Sequence, residues 1–234
     1  MYVQALERER MKMKNNRLWH ILNGMGQLII ASILWGFCCL PVFTIGASCT
    51  ALYYTVVKVV RREAAASIMS EFFHSFRRNF SQSLVINMIF LGLTACVSLL
   101  MLPHIQTLTI DRNPDSVLYI CFGLFLLYGW MPVFAYPCLS RFEFSVKQIF
   151  MWTLYAGIKN VARTLCLLVL LFVAIVFSVY QPVFLILTPG VFSLISSFVI
   201  EPILRSCSDG NNTENYSKWY GDSEKTEENE EGSL

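Results

Sequence analysis

The chain has 234 residues, of which 55% are hydrophobic and only 15% charged, with a net charge of +2 and a mean hydropathy of +0.53. A soluble domain carries about 25% charged residues. The deficit excludes an ordinary water-soluble domain and points to lipid as the solvent.

The charge is unevenly placed. Residues 206–234 hold eight acids against two bases, and residues 1–205 hold sixteen bases against eight acids. A basic body therefore precedes an acidic tail rich in Ser, Asn, Glu and Gly. Such a tail buries too little apolar surface to offset its ordering entropy, and it is expected to be disordered. Cys38, Cys39, Cys49, Cys96, Cys121, Cys138 and Cys166 lie in apolar runs and Cys207 in the tail. With no Cys-x-x-Cys pair and no histidine at ligand spacing, they read as small packing residues.

In chain order, a basic N-terminus over residues 1–17 leads into a first apolar segment, 18–40, which ends at Pro41. It lacks a small-residue cleavage site and reads as a retained span. The second segment, 43–60, runs to the basic cluster Lys58, Arg61 and Arg62. At about 18 residues, or roughly 27 Å, it is short for a span. It also carries Thr44, Gly46, Ser48, Thr50 and Thr55. Further segments cover 84–102, 117–136, 161–180 and 183–204, with Pro103 and Pro137 expected to end the third and fourth. The fold expected is all-α, a polytopic transmembrane helical bundle of about six spans over residues 18–205, with interfacial amphipathic helices.

The positive-inside rule supports six spans. With both termini cytoplasmic, seventeen of the eighteen Lys and Arg residues fall on one side and only Arg112 on the other. Without the second span they divide twelve against six.

Two linkers are too long for simple turns. Phe72, Phe73, Phe76 and Phe80 in residues 64–83 form a helical apolar stripe, with His74, Arg77, Arg78 and Asn79 largely off it. The favoured reading is an elbow helix packed under the bundle. The alternative lies along the inner interface with Arg61, Arg62, Arg77 and Arg78 toward lipid phosphates. The linker 139–160 carries Phe142, Val146, Ile149, Phe150 and the bases Arg141, Lys147 and Lys159. Each linker ends in a basic-Asn element, Arg78-Asn79-Phe80 and Lys159-Asn160-Val161, which raises an internal repeat.

The ordered stretch Leu40-Pro41-Val42-Phe43-Thr44-Ile45-Gly46-Ala47, then Thr50 to Tyr54, then Glu71 to Phe80 including Phe73, Phe76 and Asn79, resembles the YesL-like family of bacterial integral membrane proteins. Tyr53 falls within it. Leu139-Ser140-Arg141-Phe142 and Asn160 to Leu165, with Arg163, resemble the family's second conserved stretch. The likeness covers about residues 15–205. Glu143-Phe144-Ser145 stands where the family usually has Asn-Ser, and Ala162 where it commonly has Pro. The resemblance implies no activity, cofactor or catalytic residue. It implies an accessory role beside carbohydrate uptake, with a sugar transporter component as partner and the bacterial plasma membrane as location.

Pro41-x-x-Thr44-Ile45-Gly46 reads as a structural turn, with a broken transporter-type helix as the alternative. His20, His74 and His104 are far apart and lack paired carboxylates. Asp111, Arg112 and Asp115 read as a solvated loop, and Glu201 as satisfied by Arg205 at i, i+4. Gly24-x-Gly26 lacks the rest of a nucleotide loop. No catalytic, cofactor or metal site and no nucleic-acid partner are expected. The chain is read as an accessory or regulatory membrane component, with a small transporter or flippase as the alternative and an enzyme last.

Overall fold

The computed structural model of the chain describes residues 22–61, 67–111, 119–120, 123–124, 129–142, 144–181 and 187–208. The expectations for residues 1–21, for most of 112–128 and for the acidic tail lie outside them. Among the described residues the structure is helical with no strands. We number the helices α1 (Leu22–Cys38), α2 (Ile45–Thr55), α3 (Ile68–Asp111), α4 (Met131–Arg141), α5 (Val146–Lys159), α6 (Val161–Tyr180) and α7 (Thr188–Ser208).

Three stretches are long and apolar enough to cross a membrane: Val42–Val60, Ile68–Pro103 and Val161–Tyr180. Leu22–Cys38 and Thr188–Leu204 are shorter apolar helices. Helices of this kind make the chain a membrane protein and the fold an all-α helical bundle.

α2 sits at the centre, packed on α3, α4 and α7. It begins in the turn Val42–Thr44 and continues into a wider i→i+5 turn over Val56–Arg61. Its polar residues, which with its short length make it the weakest of the expected spans, have a packing cause. The window Val42–Val60 is 67% buried against protein, whereas that of Val161–Tyr180 is 11% buried. A helix that faces protein needs no lipid-soluble surface. Its hydroxyls are satisfied by the preceding turn: Ser48 donates to Thr44 O (3.0 Å), Thr50 to Gly46 O (2.9 Å) and Thr55 to Ala51 O (2.8 Å). Small residues such as Ala47 and Ala51 let neighbouring backbones approach, which in lipid replaces the missing hydrophobic drive between helices.

α3 differs from the expected pair of elements. The linker helix and the third segment form one continuous helix through Ser83, and Pro103 lies inside it. Ser81, Gln82 and Ser83 lower the local hydropathy without interrupting backbone pairing. Phe72 is fully buried with Leu28, Ala51, Leu52 and Val56, and its ring stacks on Phe76 (6.3 Å), which packs on Phe80 (5.5 Å). This side of the stripe faces the bundle, while Phe73 is exposed.

α4 also runs through its proline, Pro137, to Arg141. α5 starts at a capping box in which Ser145 N donates to Gln148 Oε1 at 2.8 Å. α6 has the bounds expected for the fifth segment. A Cβ on Gly157 would lie 2.0 Å from the Trp130 ring, so α5 meets the start of α4 through a face that only glycine leaves open.

Candidate functional site

The Pro41–Gly46 motif is a clasped turn. Thr44 Oγ1 donates to Cys38 O (2.6 Å) and Pro41 O (2.7 Å), tying the end of α1 to the start of α2. From α3, Asn87 Nδ2 donates to Val42 O (3.0 Å) and Phe43 O (3.2 Å), and Tyr136 OH of α4 donates to Asn87 Oδ1 (3.2 Å). These bonds serve carbonyls that the turn leaves outside a regular helix, where lipid offers no replacement. Gly46 is needed for close approach: a Cβ there would lie 2.8 Å from Ser83 O and 3.1 Å from both Asn87 Cβ and Tyr136 Cε1. The geometry agrees with the structural-turn reading.

The second cluster is charged. Arg141, at the end of α4, forms an ion pair with Glu201 of α7, and each side chain is only 5% exposed. Tyr53 OH of α2 points at Glu201 Oε1 from 3.5 Å, at the long limit of a hydrogen bond. Three helices therefore meet at one carboxylate. Phe142, stacked on Phe144 with ring centroids 4.8 Å apart, packs beside it with Val57, Ile200 and Ile203. Beside the expected partner Arg205, whose side chain lies outside the described residues, Glu201 reaches across the bundle to Arg141. The reason is burial. Glu201 is 3% exposed, and an ionised group held away from water requires an opposite charge beside it.

Next to this cluster lies a cavity of about 580 Å³, bounded by α1, α2, α4, α6 and α7. Trp35, Leu52, Val133, Leu171, Ile175 and Phe192 give it a largely apolar wall, and Tyr53 closes the side toward Glu201. The volume falls in the usual range for ligand pockets, about 300–1,000 Å³. Its few polar neighbours are mostly occupied: Ser178 Oγ donates to Ala174 O (2.8 Å), and Ser196 Oγ to Ser193 O (3.0 Å).

The sequence-chosen residues separate into three groups. Pro41, Thr44 and Gly46 build the clasped turn. Tyr53, Arg141 and Phe142, chosen from two distant stretches, come together around Glu201. Phe76 and Asn79 stay within α3, where Asn79 Nδ2 donates to Ser75 O (3.1 Å), while Phe73, Arg77, Arg78 and Arg163 stand on exposed surfaces. Arg62 and His20 lie outside the described residues, as do Arg112 and Asp115. Asn87 and Tyr136 were not singled out as site residues, although a lone Asn in an apolar run signals a buried amide that needs partners.

Chemically, the ion pair holds helices together and the cavity accepts apolar matter. No group of His, Cys, Asp or Glu able to hold a metal occurs among the described residues.

Residues 28–101 match the family described as "Protein of unknown function, DUF624". The matched stretch runs from α1 into α3 and contains Pro41, Thr44, Gly46, Tyr53, Phe73, Phe76 and Asn79. It is consistent with the resemblance to the YesL-like family. No curated protein and no solved structure matches the chain.

Proposed function

We propose that the chain is a non-catalytic accessory or regulatory subunit of the bacterial plasma membrane, acting beside a carbohydrate uptake system through a transporter component. In this reading it has six spans and both termini in the cytoplasm, in line with the placement of seventeen of its eighteen Lys and Arg residues. One observation carries it. The cavity between the helices is apolar, and among the described residues most polar groups beside it are already hydrogen-bonded within the protein, with the Ser193 hydroxyl as an exception. A sugar needs hydrogen-bonding partners along its path, because each hydroxyl stripped of water and left unpaired costs roughly 1–3 kcal/mol. A chain with such an interior serves a transporter better than it replaces one.

The test has two arms. Purification from native membranes under mild detergent is expected to recover a solute-uptake component with the chain. Vesicles containing the folded chain alone are expected to take up labelled sugars no faster than protein-free vesicles. Sugar flux by the chain alone would replace this reading with that of a transporter.

A second reading, a flippase for an amphiphile, has the same cavity in its favour, since an apolar wall suits a lipid chain. Accelerated exchange of a fluorescent phospholipid between leaflets of vesicles containing the chain would select it.

A further inference from the structure

We propose that the exposed face of α3 formed by Ser70, His74, Arg77 and Arg78 is a binding site for the phosphate group of an anionic membrane lipid. With Met69 and Phe73 these side chains line a recess of about 670 Å³. They recur at i, i+4, i+7 and i+8, so they share one side of the helix. Phe72, Ser75, Ile86 and Phe90 are buried on the opposite side. Among the described residues no carboxylate lines the recess. Glu71, on the same turn, is engaged elsewhere: Lys58 Nζ, from the end of the α2 segment, lies 3.0 Å from its Oε2. A hydroxyl, an imidazole and two guanidiniums around one recess supply the donors that phosphate oxygens accept, and guanidinium offers them as a fork.

The continuity of α3 sets the depth of the site. Beyond Arg78 the same side of the helix becomes apolar and exposed at Val85, Met88 and Ile89, then at Leu99 and Leu102. Seven residues separate Arg78 from Val85, roughly 10 Å at 1.5 Å per residue. About twenty apolar residues cross a hydrocarbon core of about 30 Å, with headgroups beyond it. A bilayer that covers the apolar stretch therefore brings its headgroups to the level of the arginines. The apolar face running on from the recess also decides the source of the phosphate. A free phosphate ion has no use for it, whereas acyl chains attached to the bound headgroup lie along it. The inference requires only that α3 stands in a bilayer, and it holds whether or not the accessory-subunit reading does.

The purified full chain is titrated in neutral detergent with short-chain phosphatidylglycerol, short-chain phosphatidylcholine or inorganic phosphate, and its thermal unfolding midpoint is followed. Phosphatidylglycerol is expected to raise the midpoint at concentrations where the other two do not. Arg77→Ala and Arg78→Ala are expected to weaken the phosphatidylglycerol response about fivefold each. Both residues are exposed, and an unchanged unfolding midpoint without lipid checks that each variant keeps the fold. Lys147→Ala, an exposed base on α5, is expected to leave the response unchanged. An undiminished response in the arginine variants overturns the site. So does an equal loss in Lys147→Ala, which would mean general surface charge. An equal shift with inorganic phosphate overturns the lipid as the source.

Discussion

The junctions that lead into the apolar half of α3 and into α6 carry the same basic-Asn element and fold differently. Arg78-Asn79-Phe80 sits inside an uninterrupted helix. At Lys159-Asn160-Val161 the chain breaks between α5 and α6, with Asn160 at φ −121° and ψ 46°. In both, the asparagine side chain donates to the i−4 carbonyl at 3.1 Å, Asn79 to Ser75 O and Asn160 to Ala156 O. That bond cannot be the deciding contact. The preceding turn differs. Before Asn79 the rings of Phe72, Phe76 and Phe80 form an unbroken row against the bundle. Before Asn160 stands Gly157, pressed by Trp130, and Thr164 Oγ1 reaches back to Asn160 O (3.1 Å) and Gly157 O (3.3 Å). A local signal at a helix end is thus read through the packing of the turn before it.

The halves also differ in what fastens them, and this gives the largest expected effect. The second half is tied by the buried Arg141–Glu201 pair, the first by the neutral Asn87 clasp. Glu201→Ala leaves a buried guanidinium without its counter-charge and is expected to cost about 3–5 kcal/mol. Asn87→Ala removes hydrogen bonds to two carbonyls and is expected to cost about 1–3 kcal/mol. Unfolding in detergent measures both, and equal losses would erase the distinction between the fastenings.

A proline pair tests the junctions directly. Ser81 and Ala162 each lie two residues after their asparagine, and both are exposed. Ser81→Pro falls in a continuous helix and is expected to destabilise by about 3 kcal/mol or more. Ala162→Pro falls in the first turn of α6, where amide donors lack helical partners, and is expected to change stability little. Similar losses would mean that the break at Asn160 is not a true helix start. Gly157→Ala tests the turn before the break. The added methyl collides with Trp130 and is expected to cost about 1–3 kcal/mol. An unchanged midpoint would show that Trp130 swings aside and does not define the end of α5.

The sequence marks single elements better than their joins. α6 is legible at both ends because Asn160 and Gln181-Pro182 flank an unbroken apolar run. Ser83 reads as a boundary only because its neighbourhood is polar, and a helix tolerates polar residues as long as its backbone pairing continues. Pro103 and Pro137 likewise read as ends, yet neither ends its helix; neighbouring helices tolerate the lost amide. Of the site, Tyr53 and Arg141 are picked out through the family likeness, and Glu201 through its place beside an apolar segment. Their meeting is not legible, since it joins residues 60 and 148 positions apart by a fold that no local pattern specifies.

That separation has a consequence in time. Arg141 and Glu201 lie 60 residues apart in the chain. A ribosome adding about 5–20 residues per second delivers the carboxylate roughly 3–12 seconds after the guanidinium. During that interval α4 ends in a guanidinium whose buried counter-ion has not yet been made. The bundle cannot settle into its final form until the last helix arrives. A nascent chain truncated before residue 201 would therefore carry its own mark of incompleteness, an arginine without the carboxylate that the finished bundle sets beside it.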